Sequence, residues 1–347
     1  MAIKRGLIVS AAMAIGGVTG IPAPAVAQQP QFTTIRTEFV PGERTIFYDD
    51  FTDMIAGAAP SHFRTRGAAP ELSVSGSLRQ LTYATSGSLF PNLTALPRNF
   101  TFETEIKLDV PRGIARIFLV LYSAEREAAA WTIGARTNQA DMVLSRKLPR
   151  PEELGRTPLT LDLSQPVRLA LWIQDGRVRA FVNDEKRLDV NQVELPPIDR
   201  VELRTELAGA GLSAGYRSVR FAESAPDFSD VIAASGRYVS HGIRFDTDSD
   251  QLRPESAPSI QAVARGLAAN PNLRLLIEGH TDAVGDAAHN LDLSRRRAEA
   301  VKTVLTEQFT VDAARLTTVG LGSTRPIEPN DTPQGRAQNR RVEFVRQ

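Results

Sequence analysis

Ile277-Glu278-Gly279-His280-Thr281-Asp282, followed by Asn290-Leu291-Asp292-Leu293-Ser294-Arg295-Arg296-Arg297-Ala298, is the stretch on which the reading of this chain turns. The apolar run from Leu273 to Ile277 predicts a buried β-strand ending at Gly279. Gly285 supplies a turn, and from about Ala287 the pattern becomes helical. Asn290 and Arg297 lie seven residues apart, about two helical turns, so they share a face. Asp282 falls in the loop leading onto that helix. A carboxylate and a guanidinium are thereby held around one spot at the C-terminal end of a strand. The pair suits a zwitterion: Asp282 would take an ammonium, and Arg297 would grip a carboxylate through two parallel hydrogen bonds. Taken alone, an Asp and an Arg on adjacent elements more often form a weak surface ion pair. Arg295 and Arg296 point away from Arg297 and read as a solvated face.

Working outward, Arg237 to Phe245 predicts a strand, and Pro254 to Ala269 a helix with Ile260, Val263, Ala264 and Leu267 as its apolar stripe. The helix after Asn290 buries Ala298, Val301, Val304 and Leu305. Leu316 to Val319 reads as a strand, Gln334 to Asn339 as a short helix and Val342 to Val345 as a closing strand. This alternation predicts an α/β sandwich with one mixed sheet, whose ligands bind outside the carboxyl end of a strand.

From Gly242 to Gln347 the chain resembles the OmpA-like C-terminal domain, a family that binds peptidoglycan non-covalently in Gram-negative cell envelopes. The resemblance rests on Gly242-Ile243-Arg244-Phe245-Asp246, Glu278-Gly279-His280-Thr281-Asp282, Asn290, Leu293-Ser294 and Arg296-Arg297-Ala298. It continues through Arg315-Leu316, Gly320-Leu321-Gly322, Pro326, Asn330, Thr332 and Gly335-Arg336-Ala337-Gln338-Asn339-Arg340-Arg341-Val342-Glu343. It implies that Asp282 and Arg297 hold the free amine and carboxylate of diaminopimelate in the peptide stem. By the same resemblance Asn290 and Arg340 support that ligand, and Thr281 and Leu293 line the pocket. His289 departs from the pattern, since many members carry Tyr before the Asn. His280 and His289 bracket Asp282 without a usual metal-ligand spacing, and no metal or cofactor is expected.

The 347 residues suit two domains. Lys and Arg total 41 against 40 Asp and Glu, so nothing points to nucleic acid. The absence of Cys removes disulfides, thiolate metal sites, a cysteine nucleophile and a lipidated N-terminal Cys. Lys4-Arg5, an apolar stretch from Gly6 to about Gly20 and Ala25-Val26-Ala27 predict a secretory signal peptide, residues 1–27. Glycines and prolines between Gly16 and Pro24 argue against a stable membrane span, and no other segment approaches the roughly 20 apolar residues one needs. A periplasmic, wall-associated protein is expected, with the outer membrane as the other candidate location. The boundaries read as an extension 28–42, a β domain 43–222, a linker 223–236 in which Phe228 and Val231-Ile232 dock, and the α/β domain 237–347.

Strand signals fill the β domain: Thr45-Ile46-Phe47-Tyr48, Phe100 to Leu108, Ile114 to Tyr122, Val167 to Ile173, Arg177 to Val182 and Val201 to Glu206. Asp175-Gly176 predicts a hairpin, with Val178, Ala180 and Val182 on one face of its second strand and Arg177, Arg179 and Phe181 on the other. An antiparallel sandwich of two sheets follows. Asp49-Asp50-Phe51, Phe100 to Ile106, Arg168 to Trp172 and Tyr216 to Phe221 loosely resemble concanavalin A-like or laminin G-like jelly rolls, which implies a glycan or an envelope protein as partner. Glu103 and Glu105 share a face, as a glycosidase pair would, but Lys107 follows them and a solvated sheet face is expected. Trp131 and Trp172 are expected in the core. Asp49, Asp50 and Asp53 are a weak calcium candidate. The resulting expectation is a non-catalytic tether; the alternative is a wall-targeted glycan hydrolase with the sandwich as catalytic unit.

Overall fold

The structure is a computed structural model and describes residues 29–32, 39–75, 78–93, 95–136, 139–224 and 227–347. The expected signal peptide lies outside the described residues.

Between Arg44 and Glu223 the β-branched and aromatic runs form two antiparallel sheets. One runs in the spatial order Glu185–Val190, Arg177–Val182, Val167–Gln174, Phe100–Asp109, Ser213–Glu223, Leu78–Tyr83 and Glu71–Ser75, and Arg44–Asp49 also pairs with Ser213–Glu223. The other runs Glu152–Leu159, Gln139–Arg146, Arg126–Arg136, Ile114–Ser123, Arg200–Ala208, Gly87–Pro91 and Phe63–Gly67. Their inner faces share one core, in which Phe102 of the first sheet meets Trp131 of the second edge-on at 6.2 Å. The Asp175-Gly176 hairpin forms as read. Both residues have positive φ (50° and 75°), and Gln174 pairs with Arg177 across the turn.

The outer face of the first sheet departs from expectation. Glu103 is not solvated but only 5% exposed, because the C-terminal unit packs over it. Arg220 donates to Glu103 Oε1 at 2.7 Å and Arg244 from the C-terminal unit at 2.9 Å, with Arg168 at 3.7 Å from its other oxygen. Glu105, two residues on, stays partly exposed and pairs with Arg217. Trp131 lies in the core, but Trp172 is half-buried on the outer face, where the Arg179 guanidinium sits 3.3 Å from its ring centroid. Phe181 is buried on that face as well, covered by Phe39 of the N-terminal extension.

In the stretch read as linker, Asp227 caps helix α1 (Phe228–Ser235) by accepting from Ser229 N and Asp230 N, and Gly236 closes it at φ 70°. Phe228 packs edge-on against Tyr238 and Phe344. A 3₁₀ turn, Pro254–Ser256, precedes helix α2 (Ala257–Ala269); helix α3 spans Ala287–Glu307 and helix α4 Pro333–Asn339. The four-stranded sheet is mixed, in the order Arg237–Ser240, Val342–Arg346, Leu275–His280, Leu316–Gly322, with the last pair parallel. Helix α3 lies against that parallel pair at glycine distance: a Cβ on Gly279 would meet Ser294 O at 2.2 Å, and one on Gly320 would meet Arg295 N at 2.3 Å.

The first strand ends at Ser240 rather than Phe245, because the next two backbone N–H groups turn away to a carboxylate of the other unit. Buried Glu43 accepts from Tyr238 OH, Ser240 Oγ, His241 N and Gly242 N. Gln338 of α4 donates to Thr45 O at 2.6 Å. The extension also reaches the C-terminal core, where Phe32 is fully buried and its N–H donates to Gln308.

Candidate functional site

Leu275–His280 ends beside Leu316–Gly322, and the chain leaves the sheet through Thr281 and Asp282 before entering α3. Thr281 is held by its N–H on Gly322 O at 3.0 Å. Asn290, on the first turn of α3, donates to Val284 O at 2.9 Å and to Asp282 O at 3.4 Å, which fixes the Asp282–Val284 loop. Ala283 N donates to Asn330 Oδ1 at 3.0 Å from the opposite side. Leu293 is buried beneath, and Thr281 Oγ1 is buried without a hydrogen-bond partner.

Asp282 and Arg297 are not paired with each other. Asp282 Oδ1 accepts from Val284 N at 3.1 Å, and its Oδ2 accepts from Arg340 Nη1 at 2.7 Å. Arg297 spends its donors on backbone: Nε on Ser249 O at 2.9 Å and Nη2 on Asp246 O at 3.3 Å. Its guanidinium also lies 5.0 Å from the Phe245 ring centroid. Among the described residues it has no carboxylate partner. Burial pushes Arg297 down to about 10; the Arg340 guanidinium adds to this and Asp282 opposes it. The six residues read from sequence therefore stand together, but in an order the sequence did not reveal. Arg340 takes the carboxylate, and Arg297 is the cation left without one. Arg341, its neighbour, is buried and pairs with Glu343 at 2.6 Å.

Two groups at the site come from the sandwich, where the sequence reading did not connect them with it. The Tyr48 ring centroid is 5.7 Å from the Arg340 guanidinium carbon, and Asp50 Oδ2 is 4.0 Å from Arg340 Nη2. Nearly 300 residues separate them, so no local pattern could have joined them. The Asp246–Asp250 strap over Arg297 was also missed; His289 Nε2, at the position departing from the family pattern, holds it through Asp248 Oδ1 at 2.5 Å.

Among the described residues, two clusters bring carboxylates and a histidine close enough to hold a metal: Glu278, His280, Glu343 and Asp49, Asp53, His62. The first is already neutralised by Arg237 at 2.7 Å from Glu278 and by Arg341. Its His280 is 3% exposed with both ring nitrogens unpartnered; burial, with help from Arg341 and against Glu343 and Glu278, pushes it down to about 4. In the second, Asp49 already accepts from Phe51 N at 2.7 Å and meets His62 Nδ1 at 2.9 Å, and burial pushes its carboxyl up to about 6. Asp50 turns to Tyr48, Thr52 and Arg340 instead, so the three aspartates do not converge. On the far side of the sandwich, a trough of about 800 Å³ crosses the second sheet, lined among others by Arg116, Phe118, Thr132, Gly134, Asp141 and Arg156.

A mixed four-stranded sheet, a helix pressed onto its parallel pair and an Asp/Arg/Arg cluster at the strand end define an α/β domain with a charged site at the end of a strand. Residues 244–340 match the OmpA family, and the chain carries an OmpA family domain there. Outer membrane porin F of Pseudomonas aeruginosa is 41% identical over 105 residues, 30% of this chain and 30% of that protein. Peptidoglycan-binding protein ArfA of Mycobacterium bovis is 40% identical over 116 residues, 33% of this chain and 35% of that protein. The crystal structure of the peptidoglycan-associated lipoprotein from Burkholderia pseudomallei is 34% identical over 30% of this chain and 88% of that one, with a TM-score of 0.29. The chain thus spans about 30% of the length of porin F. Among the described residues no helix is long and apolar enough to cross a membrane.

Proposed function

We propose that this is an exported, non-catalytic envelope protein that binds peptidoglycan through the diaminopimelate of the stem peptide and tethers a β-sandwich interaction module to the wall. The observation that carries this reading is Arg297, a half-buried guanidinium with backbone acceptors only, set beside the Asp282–Arg340 pair. A carboxylate entering the site supplies the countercharge Arg297 lacks, and an ammonium competes with Arg340 for Asp282. Asn290 keeps the Asp282 loop in place, and Thr281 and Leu293 form the floor. The likeness to the peptidoglycan-binding protein ArfA agrees with a wall ligand. The sandwich, which we read as a jelly roll, has its own open face in the trough around Phe118, suited to a glycan or an envelope protein. The hydrolase alternative loses its residues: Glu103 is sealed under three guanidiniums and Glu105 is paired with Arg217.

The test is co-sedimentation of the full exported chain with purified sacculi, with and without free diaminopimelate, alongside Asp282→Ala and Arg297→Ala. Binding that the free amino acid competes away, and that both substitutions abolish, is the expected result. Sedimentation unaffected by either would place the wall contact elsewhere.

A further inference from the structure

The Arg340 guanidinium is gripped from two domains. Its Nη1 donates to Asp282 on the C-terminal unit at 2.7 Å, while its Nη2 faces Asp50 on the sandwich at 4.0 Å. Tyr48 lies against the same guanidinium and donates from its hydroxyl to Asp50 Oδ2 at 3.3 Å. Asp50 is itself fixed: its Oδ1 accepts from Thr52 Oγ1 at 2.6 Å and Thr52 N at 3.2 Å. Thr52 Oγ1 accepts in turn from Arg336 Nη2 at 3.2 Å, and Arg336 Nη1 donates to Asn330 O at 3.1 Å. Asn330 holds Ala283, next to Asp282. Two chains of contacts thus run from the sandwich's first strand to the Asp282 loop, one through Arg340 and one through Arg336.

This matters because Asp282 is already engaged by Arg340. A ligand ammonium must displace Arg340 from Asp282, and the displaced guanidinium stands near Arg297, a like charge. With Asp50 on its far side, Arg340 can swing away from Asp282 and keep a carboxylate neighbour. The four charged groups, Asp50, Asp282, Arg297 and Arg340, sum to zero, which suits a ligand centre that is itself a zwitterion. Without Asp50 the cluster is cationic, and Asp282 stays bound to Arg340.

We propose that Asp50, carried by the sandwich, is a positioning residue of the wall-binding site: it holds Arg340 from the side opposite Asp282, so that Asp282 is released to the ligand ammonium. The inference rests on the stem-peptide reading of the site. It makes the sandwich a part of the anchor and not merely its cargo.

The experiment uses the full exported chain as wild type, Asp50→Asn, Asp50→Glu, Tyr48→Phe and Asp282→Ala. Binding to purified sacculi is measured, together with competition by free diaminopimelate and by diaminopimelate acetylated on both amines. Asp50→Asn is expected to weaken binding about two- to fivefold, the scale of a partly exposed charge pair, and Asp50→Glu to restore most of it. Asp50→Asn should also discriminate less between the two competitors, because the amine no longer finds Asp282 free; a purely structural role would leave that ratio unchanged. Tyr48→Phe keeps the ring and is expected to fall between wild type and Asp50→Asn. Unchanged affinity and discrimination in Asp50→Asn, with loss in Asp282→Ala, would overturn the role of Asp50 and leave the site reading standing. Failure of the wild-type chain to bind sacculi would remove that reading and this one with it.

Discussion

The site around Asp282 and the seam around Glu43 and Glu103 are built from the same side chains, yet they differ in saturation. In the seam, Glu43 accepts from four donors and Glu103 from two arginines at hydrogen-bond distance, and both carboxylates are buried. At the site, one guanidinium has a carboxylate and the other only backbone carbonyls, and Asp282 itself is met by Arg340 and by Val284 N. A saturated cluster has nothing left to offer a ligand and serves structure. An unbalanced one at a strand end is poised to bind. Both are buried enough to perturb ionisation, so a shifted pKa alone does not tell them apart; the inventory of unmet partners does.

The contrast is broken most severely from the seam side. Glu103→Ala leaves Arg220, Arg244 and Arg168 facing one another without the buried carboxylate, and should cost about 3–5 kcal/mol of unfolding free energy. Denaturant titration of the full chain reads this directly. A cost under 1 kcal/mol would mean the seam is not the tight junction its geometry describes.

Next comes acid. His280 has a folded pKa of about 4 against an ordinary value of 6.5, so between those pH values the unfolded chain binds more protons. Its contribution is fully present above pH 6.5 and is lost as the pH falls toward 4, by about 3 kcal/mol in all. His241 in the seam, pushed to about 4 chiefly by burial, acts in the same direction. Asp49, raised to about 6 by burial, acts oppositely and regains some stability as the pH falls. The sharp measurement is the difference between wild type and His280→Gln across pH 7 to 4. The variant should show the shallower acid loss, and parallel curves would remove His280 from the account.

At the site the effects move from stability to binding. Asp282→Ala should weaken wall binding by more than about 1.5 kcal/mol, while its partly exposed pair with Arg340 costs less than about 1 kcal/mol of stability. If stability fell as far as for Glu103→Ala, the distinction between the two clusters would collapse. Smallest is Arg297→Lys, which keeps the charge but not the planar fork; a loss of about 1 kcal/mol in wall binding is expected. Full affinity in this variant would show that Arg297 acts as a point charge.

How much of this was legible follows from sequence distance. Asp282, Asn290 and Arg297 lie within one strand–loop–helix unit, so loop position and helical spacing placed them around one point, while Thr281 and Leu293 came from resemblance. Arg340 came from resemblance, and the structure gave it the closer grip on Asp282. The hairpin at Asp175-Gly176 was legible because its φ values are a local demand. The reading of Glu103 as solvated failed for the opposite reason. Alternation assigns a side chain to a face but says nothing of what covers that face, and here the cover starts more than a hundred residues downstream. Trp172 misled in the same way, as an aromatic on the outer face that finds Arg179 and not the core. Tyr48 was legible as a strand residue and Asp50 as a calcium candidate, but nothing in one sequence joined either to Arg340.

The Glu43 junction also has a consequence for how the chain is made. Its four donors lie 195 to 199 residues further along, and the glutamine that reaches Thr45 lies 293 residues on. A polypeptide emerging N-terminus first therefore carries, at and just before its opening strand, acceptors that go unmet through most of synthesis. Closing such distant pairs slows folding, since the loop entropy falls due before the contacts form. The sandwich begins first and finishes last, its opening strand seated against its final partners only once Gln338 has arrived.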